Sequence, residues 1–239
     1  MGFIFLLSIG FVRRLCYELF LNSHLLLSVA VLIATGCHVL SKRPAQIFLM
    51  IGTCLWVGMS MVHWFMFLFR NFAFGRPFAK ATAKRIVRDD SIIEPSSVLQ
   101  VDIVVPRKWK VEAGQYVFIS IPRLGVMTGL RGHPFMISWW DWNKEGLLII
   151  SLLVKSRTGF TRQLDRYTDR KLLTFIDGPY GIQHVFGDYR TVVMFATGIG
   201  IAGHMPYIKD LLSGYHNCQV KTQRILLVWQ INKEGKVED

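Results

Sequence analysis

From Leu19 to Ser41 the chain carries no Asp, Glu, Lys or Arg, and its histidines there are His24 and His38. From Ala45 to Phe69 the pattern repeats, with His63 as the one titratable base. At about 1.5 Å per residue, each run is long enough as a helix to cross a hydrocarbon core of roughly 30 Å. The pattern predicts a helical hairpin with spans at about 17–40 and 45–69. Past "RNFAFGRPFAK" the continuous apolar runs give way to short alternating ones. "SSVLQVDIVVP", "GQYVFISIP", "GLLIISLLVK" and "KLLTFIDGPYG" are β-branched or aromatic stretches bounded by Gly, Pro or charge, and they predict strands. Their spacing predicts a small antiparallel barrel over residues 80–182, with a short helix at "TGFTRQLDRY". The last segment, "RTVVMFATGIGIAGHMPYIKDLL" followed by "QRILLVWQ", reads as one βαβ unit whose two strands are buried in a parallel sheet.

Composition agrees with this division. Of 239 residues, 51% are hydrophobic and only 18% charged, and the mean hydropathy of +0.34 is high for a soluble domain. The net charge of +12 invites a nucleic-acid reading, but its placement argues otherwise. Arg70, Arg76, Lys80, Lys84, Arg85 and Arg88 follow the second apolar run, and Arg13 and Arg14 precede the first. A hairpin puts these on one side, where the positive-inside rule expects the cytoplasm, against Lys42 and Arg43 in the connecting loop. Such a strip also attracts anionic lipid headgroups. The expected partner is therefore a lipid membrane and not nucleic acid. Cys16, Cys37, Cys54 and Cys218 have no metal-pair or disulfide spacing. "MGFIFLLSIGFV" lacks a signal peptide's basic start and cleavage site and reads as the end of an earlier helix. A lone βαβ unit buries too little surface to stand alone, so the C-terminus also reads as interrupted, and the chain as a fragment.

Several groups of residues could carry chemistry. His24 and His38 stand 14 residues apart, nearly one helix face and roughly 21 Å along the axis. Ionisable residues inside a span are costly and usually functional. The pair could ligate two stacked haems or make unrelated interhelical hydrogen bonds. His63 reads as a packing or interfacial residue. "HPF" at 133–135 could line a flat ring system or simply begin a strand. "GPYG" at 178–181 is a tight turn first and a cofactor contact second. "TGIG" lies between a strand and a helix, where glycines let the backbone approach a phosphate at the helix N-terminus.

In this order the elements resemble the ferric reductase and NADPH oxidase flavocytochrome family. The signs are "RRLCYELFLNSH", the His-x13-His helix, a second span, a barrel with "HPF" and "GPYG", then strand–"TGIG"–helix. "GHPFMISWW" and "ATGIGIAGHMPYIKDLL" are similar to the fungal metalloreductases in particular. The resemblance implies a membrane α-helical hairpin (within 1–75), an antiparallel β-barrel flavin domain of ferredoxin-reductase type (80–182) and a partial α/β nucleotide-binding domain (188–239). It implies NADPH, FAD and haem b as cofactors, ferric chelates as electron acceptor, and a multi-pass protein of the plasma membrane whose C-terminal domains are cytosolic. On this reading His24 and His38 ligate the haems, each paired with a ligand from another helix. His133, Pro134, Phe135, Ile137 and Ser138 line the flavin, and Thr158, Gly159 and Thr161 hold its pyrophosphate. Gly178, Pro179 and Gly181 border the nicotinamide, and Gly198 and Gly200 admit the NADPH pyrophosphate. Met136 stands where the family often has a hydroxyl, and Trp139 where it often has a small residue. A superoxide-forming NADPH oxidase, a cytosolic flavin reductase and a non-catalytic, membrane-anchored flavin-binding remnant remain the alternatives.

Overall fold

The computed structural model describes residues 17–39, 43–89, 96–125, 129 and 131–231. The stretch at 1–12, Arg13, Arg14, Cys16 and Lys42 lie outside them. The chain divides between Trp64 and Phe65 into two compact units.

The first unit is helical. Helix α1 spans Tyr17–Val39, and α2 begins in this unit and spans Arg43–Asn71. Among the described residues α2 is the helix long and apolar enough to cross a membrane, and none of its most apolar stretch is buried. A soluble core helix would be covered, so exposure of this length of apolar surface argues against that role. Within α1 the described apolar portion, Leu26–Val39, is shorter. A serine and a threonine in each helix turn inward on their own backbone, as where Ser28 donates to the His24 carbonyl at 2.7 Å and Thr53 to that of Leu49 at 2.8 Å.

The second unit holds a curled antiparallel sheet. Its strands are β1 (Lys80–Asp89), β2 (Ser96–Val105), β3 (Tyr116–Ser120), β4 (His133–Trp142), β5 (Leu148–Lys155), β6 (Lys171–Leu173) and β7 (Phe175–Tyr180). They run in the order β6-β1-β2-β5-β4-β3-β7. The edge strands β6 and β7 are consecutive in the chain, with only Thr174 between them, so the two edges are brought round to each other and the sheet curls into an incomplete barrel. Buried Thr174 fixes that crossing: its N–H donates to the Ala79 carbonyl at 3.0 Å and its hydroxyl to that of Leu172 at 3.1 Å.

The core follows the period of two expected of half-buried strands. Leu148, Ile150, Leu152 and Val154 of β5 face Leu99, Val101, Ile103 and Val105 of β2, all at most 1% exposed. Burying each such side chain contributes about 1.5–3 kcal/mol. A short helix α3, Phe160–Asp165, closes one end with buried Phe160 and Leu164. Asp165 holds it there, accepting from Arg85 Nε at 2.9 Å on β1 and from the Ser97 hydroxyl at 2.6 Å on β2.

Strand β8 (Thr191–Thr197), a 3₁₀ turn (Gly198–Gly203), helix α4 (Met205–His216) and β9 (Arg224–Gln230) complete the described chain, with β8 and β9 parallel and in register from Thr191–Arg224 to Thr197–Gln230. The apolar runs read as buried strands at the start of a parallel sheet, and in the described structure one of their two faces is covered. Helix α4 covers one face, where Val192, Met194 and Leu211 pack together. On the other face Val193, Phe195, Leu226 and Val228 are exposed, because one helix can shield only one side of a two-stranded sheet.

Candidate functional site

Two motifs far apart in sequence meet at the α3 end of the barrel. The His133 ring stacks on Phe160, with centroids 4.2 Å apart and planes 23° from parallel, and Phe135 approaches the same ring at 6.1 Å. Strand β4 thus brings His-Pro-Phe against the Thr158–Thr161 segment. That segment is tightly folded. The Thr161 hydroxyl accepts from the Arg157 N–H at 3.0 Å and donates to the Thr158 carbonyl at 3.3 Å. Gly159 turns the chain at φ +59°, and a Cβ there would meet open space, so the backbone lies bare beside the stacked rings.

Alternation along β4 prevents its five candidates from facing one way. His133 pairs with Ile119 and Phe135 with Val117, whose side chains are both fully buried in the core, so these two rings lie on the core side at the mouth of the barrel. Pro134 and Met136 point to the opposite face, opposite Phe118 and Tyr116. There Tyr116, Phe118 and Tyr180 form an aromatic cluster with centroids 5.7 to 5.8 Å apart. Ile137 and Ser138 are each 1% exposed. Between Ile137 and Trp139 the register with β5 shifts, and the Ser138 hydroxyl accepts from the Leu153 N–H at 3.2 Å inside that bulge. These two side chains support the β4 wall from behind and present no open surface.

Tyr180 donates to Asp177 Oδ1 at 2.7 Å. Burial, then this bond to a carboxylate, favours the neutral phenol and pushes Tyr180 up to about 12. Gly178 and Gly181 have φ of +126° and +102°, and a Cβ on Gly181 would lie 2.7 Å from the Gly114 carbonyl oxygen. A Cβ on Gly114 would in turn strike the Tyr207 hydroxyl of α4. The Gly-Pro-Tyr-Gly turn, with Pro179 at its centre, therefore sits beside the start of the nucleotide half.

Across that seam, Lys209 of α4 donates to the Trp140 carbonyl and lies 4.4 Å and 4.8 Å from the Trp139 and Trp140 ring centroids. Burial disfavours its charge and holds its pKa below the usual lysine value, while Asp141 opposes the shift. Trp139, unusual by the resemblance, is thus one wall of a lysine seat. In the turn after β8, Cβ atoms on Gly198, Gly200 or Gly203 would find nothing within 4 Å. The Trp229 indole donates to the Gly198 carbonyl at 2.9 Å. His204 Nε2 is 2.9 Å from the Phe195 carbonyl, which can only accept, so that nitrogen carries the proton.

His24 and His38 are both exposed side chains of α1, in the other compact unit. Among the described residues no three His, Cys, Asp or Glu side chains gather to hold a metal ion.

Residues 89–184 match the FAD-binding domain family, and residues 189–238 match the ferric reductase NAD binding domain. The chain thus carries a flavin-binding domain followed by a nucleotide-binding domain of ferric reductase type. Among curated relatives, a probable ferric reductase transmembrane component of Candida albicans is 28% identical over 237 residues, covering 96% of this chain and 32% of that protein. Ferric/cupric reductase transmembrane component 7 of Saccharomyces cerevisiae is 26% identical over 238 residues, covering 97% of this chain and 35% of its own length. The chain thus spans about a third of the length of these relatives. A solved NADH-dependent reduced ferredoxin-NADP oxidoreductase superposes with a TM-score of 0.49 at 20% identity, covering 68% of this chain and 51% of the other. That superposition is loose, and the reductase fold here stands on the strand order and domain matches already given.

Sequence reasoning missed Phe160, Tyr116, Tyr180, Asp177 and Lys209. Phe160 was within reach, since it lies inside the Thr-Gly-Phe-Thr segment. Tyr180 was too, as the tyrosine of Gly-Pro-Tyr-Gly; Tyr116, Asp177 and Lys209 carry no motif, and only the register of β3 with β7 and the approach of α4 bring them to the site.

Proposed function

We propose that this chain is the electron-input part of a membrane ferric-chelate reductase, passing electrons from NADPH through FAD and b-type haem to ferric chelates. The observation that carries the reading is the meeting of His133 with Phe160, which joins the two segments read separately as flavin ring and flavin pyrophosphate contacts. The residues fit FAD: half-buried rings at the mouth of the barrel offer a flat apolar surface, and bare backbone at Gly159 gives room for a phosphate. They also fit a dinucleotide: the open glycines at Gly198 and Gly200, between a strand and a 12-residue helix, leave amides accessible to phosphate. When bound, such a flavin takes a hydride from reduced nicotinamide and releases electrons singly.

The protein's own part is placement. Phe135 and His133 orient the ring system, and Thr161 holds the pyrophosphate segment folded through its two hydrogen bonds. Gly178, Pro179 and Gly181 border the nicotinamide where the barrel meets Tyr207, and Lys209 pins α4 to β4 so that the two sites face one another. Ile137 and Ser138 act by supporting β4. His24 and His38, exposed on one helix at a spacing that suits two stacked haems, would each give one ring nitrogen to hold a haem. We read helices α1 and α2 as the membrane hairpin of a multi-pass plasma-membrane protein, and the basic residues after α2 favour a cytosolic flavin domain. The named relatives are ferric and ferric/cupric reductases, which favours ferric chelates over oxygen as acceptor.

The test is NADPH-dependent reduction of a ferric chelate by membranes holding the full chain and FAD, read with a ferrous-specific chelator dye. Gly200→Ala is the diagnostic variant, since its Cβ enters space empty of protein. The expected result is a rise in the NADPH KM of about tenfold or more, on the order of 1.4 kcal/mol, with an unchanged melting temperature. An unchanged KM refutes the dinucleotide assignment, and absence of bound FAD refutes the flavin site.

A further inference from the structure

We propose that the end of α2 and the β2–β3 connection form a binding site for one anionic phospholipid, whose phosphate sits among four cations. A cavity of about 670 Å³ opens there, lined among others by Arg70, Arg76, Arg107 and Lys108, and among the described residues no carboxylate lines it. All of these residues belong to the second compact unit. The inference rests on the reading of α2 as a membrane span, because that places the cavity at the depth of lipid headgroups.

Arg76 and Arg107 are held by neutral groups. Arg76 donates to the Pro106 carbonyl at 3.0 Å, and Arg107 Nε donates to that of Phe72 at 3.0 Å. The Arg107 guanidinium also lies 3.8 Å over the Phe69 ring, and that of Arg70 lies 5.3 Å from Trp109. Asp177 and Tyr180 act electrostatically on Arg70 but do not line the cavity. Carbonyls and rings orient a guanidinium without neutralising it, so the positive charge stays available to an anion. Clustering four such cations costs repulsion that a bound phosphate relieves.

A second observation points the same way. Trp109 lines the cavity, and its indole N–H is buried with no hydrogen-bond acceptor among the described residues. A buried donor without an acceptor is destabilising unless something outside the protein supplies one, and a phosphodiester oxygen beside the cations would do so. The apolar side of the cavity suits the rest of a lipid. Met66 and Phe69 continue the exposed apolar surface of α2, and the Phe74 ring is fully exposed. A tryptophan with one polar edge among basic side chains is the usual composition of a membrane interface. The strip of basic residues after a span attracts acidic membranes in general; the cavity adds a place for one headgroup.

The test uses the full chain in mild non-ionic detergent, with native mass spectrometry counting bound lipid. Phosphatidic acid, phosphatidylcholine of the same acyl chains, and inorganic phosphate are the probes. The expected result is one phosphatidic acid bound at least tenfold more tightly than phosphatidylcholine and not displaced by millimolar inorganic phosphate. Arg107→Ala combined with Lys108→Ala should weaken it tenfold or more. Lys108→Gln, a milder change should the double variant fail to fold, should weaken it severalfold, as should Trp109→Phe, which keeps the ring and removes the donor. Equal affinity for the two lipids, retention by the variants, or displacement by inorganic phosphate would overturn the proposal. Bound FAD is counted in the same spectra. Lost lipid with retained FAD sinks this inference alone, whereas retained lipid without FAD sinks the reductase reading and leaves the lipid site.

Discussion

Asn71 ends α2 and is 2% exposed. Its side-chain amide pairs with both backbone groups of Ile176 on β7: Nδ2 donates to the carbonyl at 2.7 Å and Oδ1 accepts from the N–H at 2.8 Å. Nδ2 also donates to the Phe67 carbonyl at 2.8 Å. A strand edge normally finds such partners in another strand; here one side chain supplies them and fixes the helix end on the barrel. In Asn71→Ala the Ile176 N–H and carbonyl lose these partners in a buried position. Each unsatisfied group costs about 1–3 kcal/mol, and partial entry of water brings the expected total to about 2–4 kcal/mol. For a unit of this size that is a drop of roughly 4–16 °C in melting temperature, at about 2–4 °C per kcal/mol. Near-ultraviolet circular dichroism of the detergent-purified chain reads this without relying on any cofactor. Asn71→Leu, similar in volume but without hydrogen bonds, should lose as much. A shift below about 2 °C in both variants would refute the reasoning, because it would mean that the Ile176 backbone finds other partners at little cost.

Three further outcomes follow from the geometry. Tyr180, pushed up to about 12, has a folded pKa above its unfolded value near 10, so its contribution is complete below pH 10 and is lost as pH rises through 12. In Asp177→Asn the carboxylate charge goes while a neutral amide acceptor and the burial stay, so the phenol should titrate lower than in the parent but still above 10; an unchanged difference spectrum at 295 nm would contradict this. Gly181→Ala combines φ +102° with a Cβ 2.7 Å from the Gly114 carbonyl and should destabilise by about 1–3 kcal/mol, whereas Gly200→Ala should leave the urea midpoint unchanged. Lys209→Met removes the bond to the Trp140 carbonyl and the cation over two indoles, with an expected loss of about 1–2 kcal/mol. Tryptophan fluorescence should shift with it, and an unaltered emission spectrum would show that Lys209 does not seat there.

The sequence by itself determined the kinds of element and their order. A stretch of 25 residues without charge, Ala45–Phe69, can be little else than an exposed apolar helix or a buried one, and the short apolar run "GLLIISLLVK", bounded by glycine and lysine, reads as a strand. Those signals are local, set by the periods of helix and strand. Glycine placement was legible for the same reason, since the left-handed φ of Gly159, Gly178, Gly181 and Gly198 is a property of the residue's own backbone. Which face of β4 each residue takes was not legible from the motif. Five consecutive or near-consecutive candidates cannot share a face in a strand, and a bulge at Ile137–Trp139 sends Ser138 inward to β5. The meeting of His133 with Phe160, the clamp of Asn71 on Ile176 across 105 positions and the seat of Lys209 join residues from different elements. So does the gathering of Arg70 and Arg107 around one cavity. Those depend on register and on how the sheet curls, which many distant contacts fix together. The tertiary structure alone decided them, because no local stretch of sequence encodes the distance between two strands.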